Sequence, residues 1–199
     1  MRVVTPRTRT PSNEVRAAVV DAAMELLRED GPGALTVRRI ASRAGVAPMA
    51  VYNHFDGKDG VVEELFIRGF DRLGEVFDDI RSDDPLEDLA EAGRRYRRLA
   101  LTDPALYSVM FERSVTDYQP SPRAKQHAAA AFAVLVGQVQ RAMDAGVLTP
   151  DDPERVGQRL WNACHGQVSL ELRGMGFVDD LDRHADELSA TILRGLRAG

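Results

Sequence analysis

Apolar residues recur along this chain every three to four positions, and no alternation of β-branched residues is sustained enough to make a strand. Val15, Ala18, Val19, Ala22 and Leu26 form one stripe, and Val62, Leu65, Phe66, Gly69, Leu73, Val76, Phe77 and Ile80 form a longer one. Leu181, Ala185, Leu188, Ile192 and Leu196 repeat the pattern near the C-terminus. Helix starts are marked by a capping side chain directly before proline, at Asp84-Pro85, Asp103-Pro104, Ser121-Pro122 and Asp152-Pro153. The Asp or Ser oxygen can accept orphan N–H groups of the first turn, where proline has no donor to waste. Glu87 adds an approximate capping box to Asp84. Gly31, Gly146 and Gly174 mark stops, with Pro32 just beyond the first. The pattern predicts an all-α chain of about nine helices, over 13–30, 36–44, 47–54, 58–80, 85–101, 104–113, 122–145, 153–174 and 180–197.

The second and third of these are short and separated only by Ala44-Gly45-Val46. Thr36 can cap the second, and Leu35 can staple onto Ile40. Gly45 supplies a left-handed turn that a side chain would resist. Val46 then fills the space between the helices and Pro48 opens the third. Val51 and Phe55, four apart, face inward, which leaves Pro48, Met49, Ala50, Tyr52, Asn53 and His54 on the outer surface. A second helix with a small, exposed first turn can enter a major groove. Around it, Thr36 offers a hydroxyl and free N–H groups at a helix N-terminus, and Tyr52 and His54 offer further donors. Lys58 places a cation in the first turn of the fourth helix, against the macrodipole. A local choice that costs stability is expected where function demands it, and a DNA phosphate there would reverse the sign.

Charge refines this picture. The net charge of −5 argues against a general nucleic-acid binder, but residues 1–60 carry +2 and the remainder −7. A basic end on an acidic body suits a protein that meets phosphate with one end only. Residues 1–12 read as a flexible basic arm, with Arg2, Arg7 and Arg9 taken as a solvated tail rather than minor-groove contacts. With 44% apolar and 29% charged residues the chain is too apolar for disorder. It has no run long enough to cross a bilayer and no signal-peptide core, and its single cysteine, Cys164, allows no internal disulfide. The expected compartment is the cytoplasm, with no membrane partner.

The stretch Thr-Val-Arg-Arg-Ile-Ala-Ser-Arg-Ala-Gly-Val-Ala-Pro-Met-Ala-Val-Tyr-Asn-His-Phe-Asp-Gly-Lys-Asp, residues 36–59, resembles the TetR family of regulators. The resemblance covers about residues 13–65, and the nine-helix length fits it. It implies base contacts by Arg38, Ala47, Pro48, Met49 and Asn53, and DNA backbone contacts by Thr36, Tyr52, His54 and Lys58. It also implies a helix-turn-helix DNA-binding domain over 13–57 and a helical ligand-binding and dimerisation domain over 58–199. Gly60 departs from the family pattern, where a bulkier residue is usual, and is expected only to loosen that turn. Farther on, Trp161-Asn-Ala-Cys-His165-Gly166 resembles the C-terminal subtype known for its Trp…His-Gly signature. The family further implies that helices eight and nine of two subunits form a four-helix dimer interface. Leu160 to Leu172 holds Glu171 as its only charged residue, so this helix should be buried on most faces, a partner's included. Two recognition helices on a twofold axis can read a palindrome.

Trp161 and His165 share a helix face. Two readings stand: a core tryptophan stacked over a hydrogen-bonded histidine, with Gly166 allowing close helix approach, or a ligand cavity. The first is favoured. Tyr96, Tyr107, Met110, Phe111 and Phe132 could line the same cavity, and each also reads as plain core. The run Arg94-Arg95-Tyr96-Arg97-Arg98 reads as a salt-bridged face through Glu91, with an anionic ligand as the alternative. His54, His127, His165 and His184 show no metal-ligand spacing with Cys164 or one another, and no catalytic residue or cofactor is expected. The expected function is a homodimeric transcription regulator, a repressor released from operator DNA by a small-molecule effector. The alternatives are a DNA-binding regulator without such control, and an enzyme or carrier using the C-terminal cavity.

Overall fold

The computed structural model describes residues 12–112, 115 and 118–198. Of the expected basic arm only Ser12 falls among them, so Arg2, Arg7 and Arg9 lie outside the described residues. The elements are α1 (Ser12–Asp30), a 3-10 turn (Pro32–Ala34), α2 (Val37–Arg43), α3 (Pro48–Phe55), α4 (Lys58–Asp78), α5 (Pro85–Thr102), α6 (Pro104–Phe111), α7 (Pro122–Asp144), α8 (Pro153–Leu172) and α9 (Leu181–Leu196). Among the described residues the fold is all-α, with one isolated bridge between Leu148 and Arg197. Every predicted helix is present.

The punctuation works as its chemistry requires. Asp84 accepts from the N–H groups of Leu86 and Glu87, Ser121 from Ala124, and Asp152 from Glu154 and Arg155. Asp180 caps α9 by accepting from Arg183 at 2.9 Å, a cap without the proline marker. Each such cap contributes about 1 kcal/mol. Gly31, at φ 76°, ends α1 and leads into the 3-10 turn, which periodicity alone did not reveal.

α4 is the central strut. Its stripe of Val61, Val62, Leu65, Phe66, Phe70, Leu73 and Phe77 is buried, packing on α1 and α3 at its N-terminal end and on α6 and α7 farther along. A second apolar cluster joins α5, α7, α8 and α9 around Leu89, Val139, Leu148 and Val156, and Trp161 packs against both. Asp88, buried on α5, accepts from the Ser82 N–H and pairs with Arg141, which fastens α5 to α7. Within one chain α8 is not buried on most faces: Asn162, Gly166 and Leu170 lie open along one stripe.

Candidate nucleic-acid interface and the cavities behind it

The head is built from α1, α2 and α3. Thr36 caps α2, its Oγ1 accepting from the Arg39 N–H at 3.3 Å. Gly45 adopts φ 67°, the Val46 N–H donates to the Ala41 carbonyl at 3.0 Å, and Pro48 opens α3. Val51 and Phe55 bury the inner face of α3. On the outer face Met49 and Tyr52 keep 64% and 54% of their surface exposed, and Asn53 is exposed beside them. Spacings of three and four place these three side chains together on one helix face. Thr36, Arg38, Ala47 and Pro48 are also exposed, while His54 and Lys58 are half-buried.

The three arginines of α2 divide clearly. Arg39 pairs with Asp30, and Arg43 pairs with Glu25 and Glu29, so both are tied back onto α1. Arg38 has no ion pair or hydrogen bond among the described residues. Lys58 reaches only its neighbour Asp59, at 3.8 Å. These two cations are therefore the least neutralised ones near α3.

Arg16 escaped the sequence reading. From α1 it donates to the carbonyl oxygen of His54, pairs with Glu64 at 3.0 Å and lies 4.5 Å from the Phe55 ring centroid. It clamps the end of α3 between α1 and α4. Its partners lie 38 and 48 residues away, and nothing local marks them. Ser12 Oγ also reaches His54 Nδ1 at 3.4 Å, which leaves Nε2 without a hydrogen bond among the described residues. Gly60 corrects the expectation of a loosened turn: a Cβ there would stand 1.4 Å from the Phe55 carbonyl oxygen. Glycine permits the close passage of α3 onto α4, and Asp56 (φ 58°) and Gly57 (φ 89°) make the corner.

In the body, Trp161 stacks on Phe132, with ring centroids 5.3 Å apart, rather than over His165. Its indole N–H donates to Tyr96 Oη at 3.4 Å. The Tyr107 and Tyr96 hydroxyls lie 2.7 and 3.0 Å from His165 Nδ1. Burial lowers the His165 pKa, which favours the neutral ring that can accept from a tyrosine. Burial also raises the Cys164 thiol to about 11, so it is a poor nucleophile. Gly166 does not serve close helix approach within the chain, since a Cβ there would meet nothing within 4 Å.

Three spaces lie nearby. An apolar slit of about 40 Å³ takes Tyr96, Phe132 and Trp161 into its lining. A void of about 10 Å³ is lined by Tyr96, Tyr107, Met110 and Phe111. The largest, a groove of about 460 Å³, opens between α5, α8 and α9. None of the seven residues singled out for a ligand lines that groove, and His165 lines none of the three spaces. Most of the arginine run is salt-bridged: Arg94 to Glu87 and Glu91, Arg95 to Glu91 and Asp79, Arg97 to Glu171 and Asp182. Among the described residues no three His, Cys, Asp or Glu side chains are grouped to hold a metal ion, and no helix is long and apolar enough to cross a membrane.

A short, exposed second helix packed on a capped first helix, carried by an all-α body, defines a helix-turn-helix transcriptional regulator. Residues 19–65 match the family described as bacterial regulatory proteins, tetR family, and residues 89–196 match the tetracyclin repressor-like C-terminal domain. Together these place the chain in the tetR family of DNA-binding regulators. The HTH-type transcriptional regulator Rv1816 of Mycobacterium tuberculosis is 25% identical over 208 residues, covering 88% of each chain. The HTH-type transcriptional repressor KstR2 of Rhodococcus jostii is 44% identical over 55 residues, 28% of this chain and 26% of that one. A solved protein of unknown function from Rhodococcus sp. RHA1 has the same fold, with a TM-score of 0.84 at 23% identity, over 98% of this chain and all of that one.

Proposed function

We propose that the chain is a homodimeric repressor that leaves its operator when a small molecule binds the body, acting in the cytoplasm without catalysing a reaction. The observation that carries this reading is the division of α3: Val51 and Phe55 are buried, while Met49, Tyr52 and Asn53 stand exposed with no side-chain hydrogen bond to the described chain. In it, residues 13–57 are the DNA head and 58–199 the ligand-binding and dimerisation body. Arg38, Ala47, Pro48, Met49 and Asn53 touch bases, and Thr36, Tyr52, His54 and Lys58 touch the phosphate backbone. Arg38, without an ion pair among the described residues, and Lys58, paired only with Asp59 at 3.8 Å, support this, since a base edge for the first and a phosphate for the second are the partners each would gain.

The open stripe of α8 supports the dimer. Asn162, Gly166 and Leu170 present small and apolar surface, and Phe177, just past α8, is 90% exposed. Such surface calls for a partner, and Gly166 would let a second helix approach closely. The Trp…His-Gly subtype fits these roles: Trp161 and His165 fasten α8 to α5 and α6, while Gly166 faces outward. KstR2, similar over the head, is a repressor, which favours that sign of regulation. The groove of the body favours a regulator with an effector over one without.

Mobility shift with promoter DNA flanking the protein's own coding sequence, at stated salt, tests the reading. Wild type is expected to bind, and Tyr52→Ala to lose at least about tenfold in affinity, the scale of a lost hydrogen bond to a charged group. A folded dimer that selects no DNA from the whole genome would overturn it.

A further inference from the structure

The α5–α8–α9 groove, at about 460 Å³, falls in the size range of small-molecule sites. Val168, Leu188 and Ile192 give it apolar walls; Arg94, Arg97 and Arg98 of α5 and Asp182 and Asp186 of α9 give it a charged side in which the two carboxylates lie against Arg97 and Arg94. Two of those cations are satisfied within the chain: Arg94 by Glu87 at 2.5 Å and Glu91 at 2.8 Å, Arg97 by Glu171 and Asp182, both at 2.6 Å. Arg98 has no ion pair or hydrogen bond among the described residues. A second donor without a partner belongs to the same lining. Gln167 Nε2 is buried and makes no hydrogen bond, a situation that costs about 1–3 kcal/mol unless an acceptor arrives. An unpaired cation lines the groove and an unpaired donor lies just beneath its surface, so an anionic acceptor that enters meets the first directly and the second by a turn of the Gln167 side chain.

The groove also continues inward. Gly93, Cys164, Ser189 and Ile192 line both it and the apolar slit whose far wall is Trp161 stacked on Phe132. A molecule held by its charged end in the groove can point an apolar end at the slit.

We infer that the α5–α8–α9 groove binds an amphipathic anion, its carboxylate-type head taken by Arg98 and Gln167 and its apolar body laid along Val168, Leu188 and Ile192 toward Trp161. That such binding releases DNA rests on the proposed function; the binding itself does not. The seven aromatic and apolar residues that the sequence offered as a pocket then form the inner end of the site or its packing, and the groove supplies the recognition.

Trp161 is the single tryptophan of the chain, so its emission reports on the slit alone. The full-length protein is titrated with dodecanoate and with dodecan-1-ol, below the concentrations at which they aggregate, by calorimetry and by Trp161 emission. Dodecanoate is expected to bind at least about tenfold tighter than the alcohol and to change the emission, the charge-assisted contact making the difference. Arg98→Gln, an exposed position that leaves the core intact, is expected to lower dodecanoate affinity about tenfold and leave the alcohol unchanged. Gly93→Ala puts a Cβ 3.5 Å from Cys164 Sγ, an ordinary contact that narrows the passage. It is expected to keep the heat of dodecanoate binding and damp the Trp161 response. Equal affinity for acid and alcohol, an unaltered Arg98→Gln, an undamped Gly93→Ala, or no binding of either compound would each overturn the inference. Mobility shift on the same ligand-free samples separates the two readings. Operator binding with a silent titration overturns the groove alone, and a responsive titration without operator binding overturns the regulator reading alone.

Discussion

A methyl group on Gly60 would sit 1.4 Å from the Phe55 carbonyl oxygen, far inside any non-bonded contact. Helix propensity gives the opposite sign, since alanine in place of glycine gains about 1 kcal/mol in a helix. Steric contact with backbone that cannot swing away wins, at a cost of about 1–3 kcal/mol or more. Gly60→Ala is therefore expected to lower the melting temperature by several degrees and to weaken operator binding, because α3 is displaced from α4. Calorimetric unfolding checks it, and a melting temperature that rises would mean that α3 shifts without cost. At this scale the sequence was only partly legible. Val51 and Phe55 announce their burial by spacing, and Gly45 by its place between two short helices. Gly60 and Arg16 do not, because what fixes them is a carbonyl or carboxylate brought near by the fold rather than by the neighbouring residues.

The helices themselves were nearly all readable, since Asp or Ser before Pro is a chemical device for starting one. α8 shows where that legibility stops. Its segment from Leu160 to Leu172 holds one acidic residue and no lysine or arginine, so no charged face marks the side turned to solvent. Only the positions of α5, α7 and α9 show that Asn162, Gly166 and Leu170 are left open. Leu170, 51% exposed in the single chain, is the large apolar member of that stripe. Leu170→Glu is expected to shift the protein from dimer to monomer in sedimentation velocity, since an unpaired carboxylate buried across a twofold interface meets its own copy. The monomer should keep its helicity, because the side chain has little to lose within one chain. A dimer of unchanged affinity would place the interface on another surface. Phe177 is the next place to look.

At the scale of the whole molecule, head and body meet through a carboxylate that the sequence shows only as a cap. Asp103 accepts from the Leu106 N–H at the start of α6, and it is almost fully buried. Arg28 of α1 donates to it through Nε at 3.2 Å and Nη2 at 2.5 Å, and Arg72 of α4 approaches to 3.7 Å. α6 also carries Tyr107, bonded to His165 of α8, while α1 carries Arg16, bonded to the carbonyl of His54 in α3. Polar contacts joined through the helices α6 and α1 thus run from the body to the recognition helix. Such a chain of contacts is a route for coupling only if both ends bias it, and that is measurable without any ligand. A double-mutant cycle of Arg28→Ala and Asp103→Asn, read by urea unfolding, is expected to give a coupling energy of about 1 kcal/mol. The half-exposed guanidinium keeps it from being larger through solvent screening. If the joint positions the head, both single variants should also weaken operator affinity by similar factors, and the double variant by little more than either. Additive losses in stability, or operator affinity untouched by either change, would mean that Asp103 only caps α6. The head would then take its orientation from the apolar packing of α4 against α1 and α3.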